Sequence, residues 1–371
     1  MNIKHRPKSL RLSGLTDVCG KVSVYDIMHS KQMLMDVVLM RLGLIFFLVV
    51  YHALCIYTGG WEKPFDSFPD IPLYDWLGMS THGFRLQSMV LISGLLFGHT
   101  LKKHPERLCF NSCVVRKAKR VLLPCYIFGI AYWLIFYYQP NVDISTIGGG
   151  IWLIINGIGH LWFLPMIFWC FVITYTLEKN KLCKPWLMLV FLVCATYNLL
   201  FKLPLGLGSV PTYYLFFYVG FMMGSKRIKL PMVNMWLPAT LFLTAFCASM
   251  LIKDNFEATT LLEKGIRFAL SGLINITISV TGVYLLYRIA NIPAIQNKID
   301  GNRLLIRLSG YCYGVYIFQQ FILKFLYYKT DMAHCIDPYV LPWVATVVTI
   351  ALSLIFTDLS LKTRTGRFLI G

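Results

Sequence analysis

In the stretch RLGLIFFLVVYH, residues 41 to 52, an arginine and a histidine stand eleven positions apart in an otherwise apolar run. A helix turns about 100° per residue, so His52 returns to within roughly 20° of Arg41, about 16 Å further along the axis. Such a stripe is costly in a greasy helix and has to face a partner or a polar interior. A second imidazole, His160, opens HLWFLPM, with Trp162 two residues on. Neutral imidazole titrates near neutrality and can take a proton from a hydroxyl, the step that attack on an acyl group requires. The alternative for each histidine is a satisfied polar residue in a core. A third constellation is VVRKAKRVLLP, residues 114 to 124, where Arg116 and Arg120 are four apart and Lys117 and Arg120 three apart. On a helix these share a face and could bind the phosphates of a nucleotide-like carrier. Their ordinary explanation is the basic flank of a membrane span.

The elements that must position these groups are membrane helices. The 371 residues are 57% hydrophobic with a mean hydropathy of +0.62, well above an ordinary soluble domain. The expected fold is therefore all-α: a polytopic integral membrane protein of about ten transmembrane helices. The spans predicted are 37–57, 85–101, 121–138, 160–177, 186–203, 210–224, 232–252, 267–287, 308–327 and 339–357. They divide the chain into a basic cytosolic tail (1–36), a transmembrane domain (37–357) and a basic cytosolic tail (358–371), with membrane lipid as the partner of the tails.

The net charge of +18 could suggest a nucleic-acid binder, but its distribution excludes that reading. With the N-terminus inside, 26 of the 35 Lys and Arg fall on inner segments and four on outer ones, Lys63, Lys253, Lys264 and Lys329. That is the positive-inside pattern, and it predicts both termini on the cytosolic side of a cell membrane. Arg85, Lys202, Arg267 and Lys324 lie near span ends and are expected to snorkel to headgroups. The cysteines mostly lie in apolar runs, and Cys109 and Cys113 have no second pair, so neither a metal site nor a bound cofactor is expected. The segment 58–84 is acidic and aromatic and is predicted to be a loop that forms a lid over the outer mouth. Residues 147–159 are too short and Gly-rich to span, which predicts a re-entrant or interfacial segment.

Beyond these residues, the order of elements resembles the acyltransferase-3 family, membrane enzymes that O-acylate cell-surface carbohydrates. The resemblance rests on RLGLIFFLVVYH, on SMVLISGLLFG (88–98), on the basic cluster ending in RVLLP, on GHLWFLPMIF opening the fourth span, on LFFYVGFMMG (215–224), and on SGYCYGVYIFQQFIL (309–323). It runs from about residue 36 to 357. It implies an acyl-CoA donor, acetyl-CoA first among them, reaching the site from the cytosol, and a carbohydrate or lipid-linked glycan acceptor on the other side. It implies catalytic roles for Arg41 and His52, with His52 as general base or as transient acyl carrier. It also implies acyl-CoA binding at Arg116, Lys117 and Arg120, and with the histidine and indole chemistry above it makes His160 and Trp162 the acceptor-binding pair. The chain departs from the family at two points: Lys117 stands where an Arg-x-x-Arg pair has its first arginine, and Gln319 where many relatives have a histidine, so no catalytic role is implied at 319. The rival from another class is a transporter or exporter of a glycan-linked or small anionic solute, in which the Arg41–His52 stripe relays protons.

Overall fold

The computed structural model describes residues 35–137, 144–197, 203–255, 259–299 and 301–371. The basic N-terminal tail, apart from its last two residues, and Lys202 lie outside these. The described chain is all-α. In order it forms α1 (Met35–Leu54), α2 (Pro72–Lys103), π-helical turns over 111–122 that run into α3 (Leu123–Phe136), and α4 (Ile144–Asn156). A 3₁₀ turn, Gly159–Trp162, opens α5 (Phe163–Lys179). Then come α6 (Leu187–Thr196), α7 (Val210–Gly224), α8 (Trp236–Asn255), α9 (Leu261–Ala290), α10 (Pro293–Ile299), α11 (Arg303–Tyr328), α12 (Met332–Cys335), α13 (Leu341–Lys362) and α14 (Arg364–Ile370).

Each of the ten expected spans has a helix over part or all of it. Six stretches are both long and apolar enough to cross a membrane: Met35–Ala53, Asn111–Phe136, Gly159–Lys179, Trp236–Asp254, Leu261–Ala290 and Leu341–Lys362. In four of these six, fewer than a third of the window's residues are buried, so large apolar side chains such as Leu243, Leu262, Val347 and Ile355 face outward. Outward apolar surface on that scale suits a hydrocarbon solvent. A multi-pass membrane protein follows, with α2, α6, α7 and α11 adding to the apolar bundle.

Two segments differ from expectation. The stretch 58–84 is a loop only to Ile71; from Pro72 it is helix, with proline in the first turn where its missing N–H costs nothing. Asp75, His82 and Arg85 interrupt the apolar pattern there and hide the first half of a 32-residue helix about 48 Å long. The short loop before it is pinned rather than loose. The Tyr57 and Tyr74 hydroxyls donate to the carbonyls of Pro338 and Tyr339, Tyr328 Oη donates to Glu62 O at 2.7 Å, and Phe65 stacks on His334 at 4.4 Å. The region 147–159 is helical to Asn156 and too short to span, in keeping with an interfacial segment, and it turns at Gly157 and Gly159, both with positive φ.

The core is organised on α2 and α7, which cross by backbone contact. Gly94 and Gly98 on α2 face the carbonyls of Phe217 and Phe221, while Gly220 and Gly224 on α7 face those of Leu91 and Leu95. A Cβ at any of the four would collide with the other helix's main chain, so each G-x-x-x-G supplies the groove for its partner. Helix α11 packs on α1 and α13. Tyr311 Oη, at 2.5 Å, and Arg307, at 3.2 Å, both donate to Asp358 Oδ1 across that second seam. Helices α1 and α11 run in the same direction, and α2 and α5 run against them, so that these four helices line two cavities at successive depths, the N-terminal end of α5 lying at both.

Candidate active site

The first cavity, about 340 Å³, lies at the C-terminal end of α1. His52 reaches it from the last turn of that helix and is 8% exposed. Its Nδ1 lies 2.9 Å from Gln319 Oε1, a residue of α11 with no exposed surface. An amide oxygen only accepts, so this contact favours the tautomer with the proton on Nδ1 and the Nε2 lone pair toward the cavity. The short loop supplies one wall: the Trp61 indole lies parallel to the imidazole, 5.9 Å centre to centre. The arrangement holds the imidazole between a buried amide and an indole at the wall of the cavity.

His160 enters from the 3₁₀ turn before α5. Gly159, at φ +58°, lets Gln320 Oε1 come within 3.0 Å of the His160 amide, where a side chain would block it. The same oxygen lies 2.8 Å from His160 Nδ1 and accepts from Tyr132 Oη at 3.1 Å. His160 Nε2 faces Ile317 O at 3.1 Å, and Tyr316 Oη donates back to His160 O at 2.6 Å. With both ring nitrogens against protein oxygens, His160 ties α5 to α11 and presents its ring to the cavity rather than a free nitrogen. Trp162 lines the same cavity.

The second cavity, about 280 Å³, lies toward the other end of α1. Arg41 lines it, together with Ser93 from α2 and Ser309 and Tyr313 from α11. Phe163 and Tyr316 line both cavities, and their rings, 6.1 Å apart, stand between them. Arg41 and His52 thus look into two chambers that share a wall. Tyr313 also carries the second chamber toward the basic segment, its hydroxyl lying 3.4 Å from Arg120 O.

Within that basic segment the three cations part company. Arg120 is exposed and Arg116 half-buried, whereas Lys117 turns inward and places Nζ 4.0 Å over the Phe171 ring and 6.0 Å from Phe97. The backbone here makes π turns on either side of Lys117, closing over five residues instead of four. Lys117 is held by aromatic rings, a cation–π contact.

Three residues that line the first cavity, and one buried behind its wall, escaped the sequence reading. Gln319, the buried one, contacts His52 despite its place outside the catalytic set. Arg85, expected to snorkel, is 2% exposed and lines the cavity, its guanidinium 4.1 Å over the Tyr51 ring. Lys324, also expected at the headgroups, instead lies 5.5 Å from both the Trp61 and Tyr132 rings. His82 completes the group, 5.3 Å from Tyr51. The one available signal was helical spacing: Gln320 and Lys324 are four apart on α11, and His82 and Arg85 three apart on α2.

A family model described as an acyltransferase domain, acyltransferase-3, matches residues 36–361 of the chain. No curated protein and no solved structure matches it.

Proposed function

The chain belongs to the acyltransferase-3 family, and from that membership we propose a membrane O-acyltransferase that moves an acyl group, acetyl first among candidates, from cytosolic acyl-CoA to a hydroxyl of a cell-surface or lipid-linked carbohydrate. The observation that carries the chemistry is the His52–Gln319 contact, 2.9 Å long, which leaves Nε2 free beside a cavity of about 340 Å³. That volume is at the small end of the roughly 300–1,000 Å³ usual for ligand pockets and suits one sugar unit.

In this reading the N- and C-termini are cytosolic, the membrane is the inner, cytoplasmic one, and the Arg41 chamber takes the donor. Exposed Arg120 and half-buried Arg116 meet the CoA phosphates, and Lys117 anchors that segment to α5. The pantetheine arm passes Arg41 and reaches between Phe163 and Tyr316 into the first cavity. There the acceptor hydroxyl, packed against Trp162 and the ring of His160, gives its proton to His52 Nε2 as its oxygen forms a bond to the thioester carbonyl carbon. The tetrahedral intermediate collapses by breaking the C–S bond. The proton returns from imidazolium to the departing thiolate, so ester and free CoA thiol are the products.

The test is release of CoA thiol from acetyl-CoA by purified protein, with and without lipid-linked glycans, comparing wild type with His52→Ala. Loss of a general base costs on the order of 10²- to 10⁴-fold. Release that needs both glycan and His52 is the expected result. Turnover in His52→Ala at the wild-type rate removes His52 from the mechanism.

A further inference from the structure

The first cavity contains Arg85, Lys324 and three histidines, and among the described residues no carboxylate lines it. Arg85 is 2% exposed, yet its Nε and Nη1 have no hydrogen-bond partner among the described residues. Among the described residues no carboxylate forms an ion pair with Arg85 or with Lys324. What the protein gives them is aromatic: Tyr51 under Arg85, and Trp61, Tyr132, Phe136 and Tyr137 around Lys324 Nζ at 5.5 to 6.0 Å. Ring faces recover only part of what a guanidinium loses on leaving water, and buried charges are normally paired. Arg85, kept in the cavity without a counter-ion, and Lys324, whose nearest carboxylate influence is Glu62 outside ion-pair reach, are therefore poised for an anion that arrives with a ligand.

Their placement says which part of the ligand carries it. Tyr51 lies between His52, at 5.3 Å between ring centres, and Arg85. Trp61 stacks on His52 and meets Lys324 from its other neighbours. The base is thus flanked by both cations. Building on the acyltransferase reading, we propose that the acceptor is anionic: a hydroxyl-bearing sugar whose own carboxylate or phosphate pairs with Arg85 and Lys324 and so aims the hydroxyl at His52 Nε2. Arg85, with its planar fork, takes the anion's two oxygens, and Lys324 serves as a point charge beside it. An acidic sugar and a phosphate-linked lipid precursor share this chemistry.

The test is equilibrium binding to the purified full-length protein in lipid nanodiscs, without acyl donor, using radiolabelled glucuronic acid, glucose 1-phosphate and glucose. At least one anionic probe is expected to bind tenfold or more tightly than glucose, with added salt weakening the preference, and the stronger of the two anions names carboxylate or phosphate as the source. Arg85→Gln should bring the preference within about threefold of parity, Arg85→Lys should retain part of it, and Lys324→Gln, at a half-buried site, carries the comparison if the arginine variant does not fold. Equal binding of all three probes, no binding of either anion, or a preference unchanged in the variants overturns the proposal. So does an Arg85 role confined to the reaction, seen as equal kcat losses with neutral and anionic acceptors. Charge-selective binding without any thiol release would remove the acyltransferase reading and leave the anion site. Thiol release onto a neutral glycan with no charge preference would do the reverse.

Discussion

Replacing Gln319 with Leu tests whether His52 is a positioned base. The substitution keeps the approximate volume in a fully buried position but deletes the oxygen 2.9 Å from His52 Nδ1. A buried N–H left without an acceptor costs about 1 to 3 kcal/mol. If that cost is felt where the ring becomes imidazolium, in the transition state, it corresponds to a fall of about 5- to 150-fold in kcat with little change in KM. His52→Ala removes the base altogether, so the double variant should be no slower than His52→Ala alone: Gln319 acts through the imidazole and has nothing to orient once the ring is gone. Initial rates of CoA thiol release, per milligram of monodisperse protein, complete the cycle. Losses that multiply in the double variant would refute the coupling and return Gln319 to a packing role. An unchanged rate in Gln319→Leu would refute the tautomer argument.

Gly94→Leu or Gly220→Leu should abolish monodisperse protein on size-exclusion chromatography, because the new side chain meets main chain rather than a yielding side chain. Arg120→Ala, at an exposed position, should raise the KM for acyl-CoA several-fold without lowering the melting temperature, whereas Lys117→Ala should lower that temperature as well, since it empties a cation site over Phe171. In single-cysteine variants, a membrane-impermeant maleimide on intact cells should label Cys335 and not Cys109, although both are exposed and Ser112 holds the Cys109 thiol below its usual range; labelling of Cys109 alone would invert the orientation. Phe163→Ala should open the wall between the chambers and raise thiol release in the absence of acceptor relative to release in its presence.

Much of the bundle was legible because membrane helices advertise themselves by length: each of the ten expected spans overlaps a helix, and six of those helices are long and apolar enough to cross a membrane. What stayed hidden shows where one-dimensional reasoning ends. The first half of α2 carries Asp75, His82 and Arg85, a composition that reads as a polar loop until one sees that Lys253 pairs with Asp75 at 2.6 Å and that Arg85 points inward. Span ends are where snorkelling and site formation give the same sequence signal. Only the packing of neighbouring helices decides between them, and for Arg85 and Lys324 it decides for the site. The His52 stripe was visible from periodicity, but its partner lies 267 residues away, and the pairing with Gln319 depends on α1 and α11 running in the same direction.

That parallel arrangement also bears on the choice between transfer and transport. Along α1 the polar stripe runs from Arg41 to His52, and along α11 the matching positions run from Ser309 to Gln320. A permeation path would continue polar between the two ends. Instead Phe163 and Tyr316 stand across the middle, and Tyr316 is fixed there by the bond its hydroxyl makes to His160 O at 2.6 Å. An ion or sugar would need that wall withdrawn and the α5–α11 clamp broken with it. The proposed thioester arm, slender and largely apolar, needs only that the two touching rings, 6.1 Å between centres, part by the width of a methylene chain. The cations divide in the same way: Arg41 lines one chamber, Arg85 and Lys324 the other. Two cation-lined chambers that share an aromatic wall fit the proposed transfer, in which partners meet from opposite sides with only the acyl group changing hands.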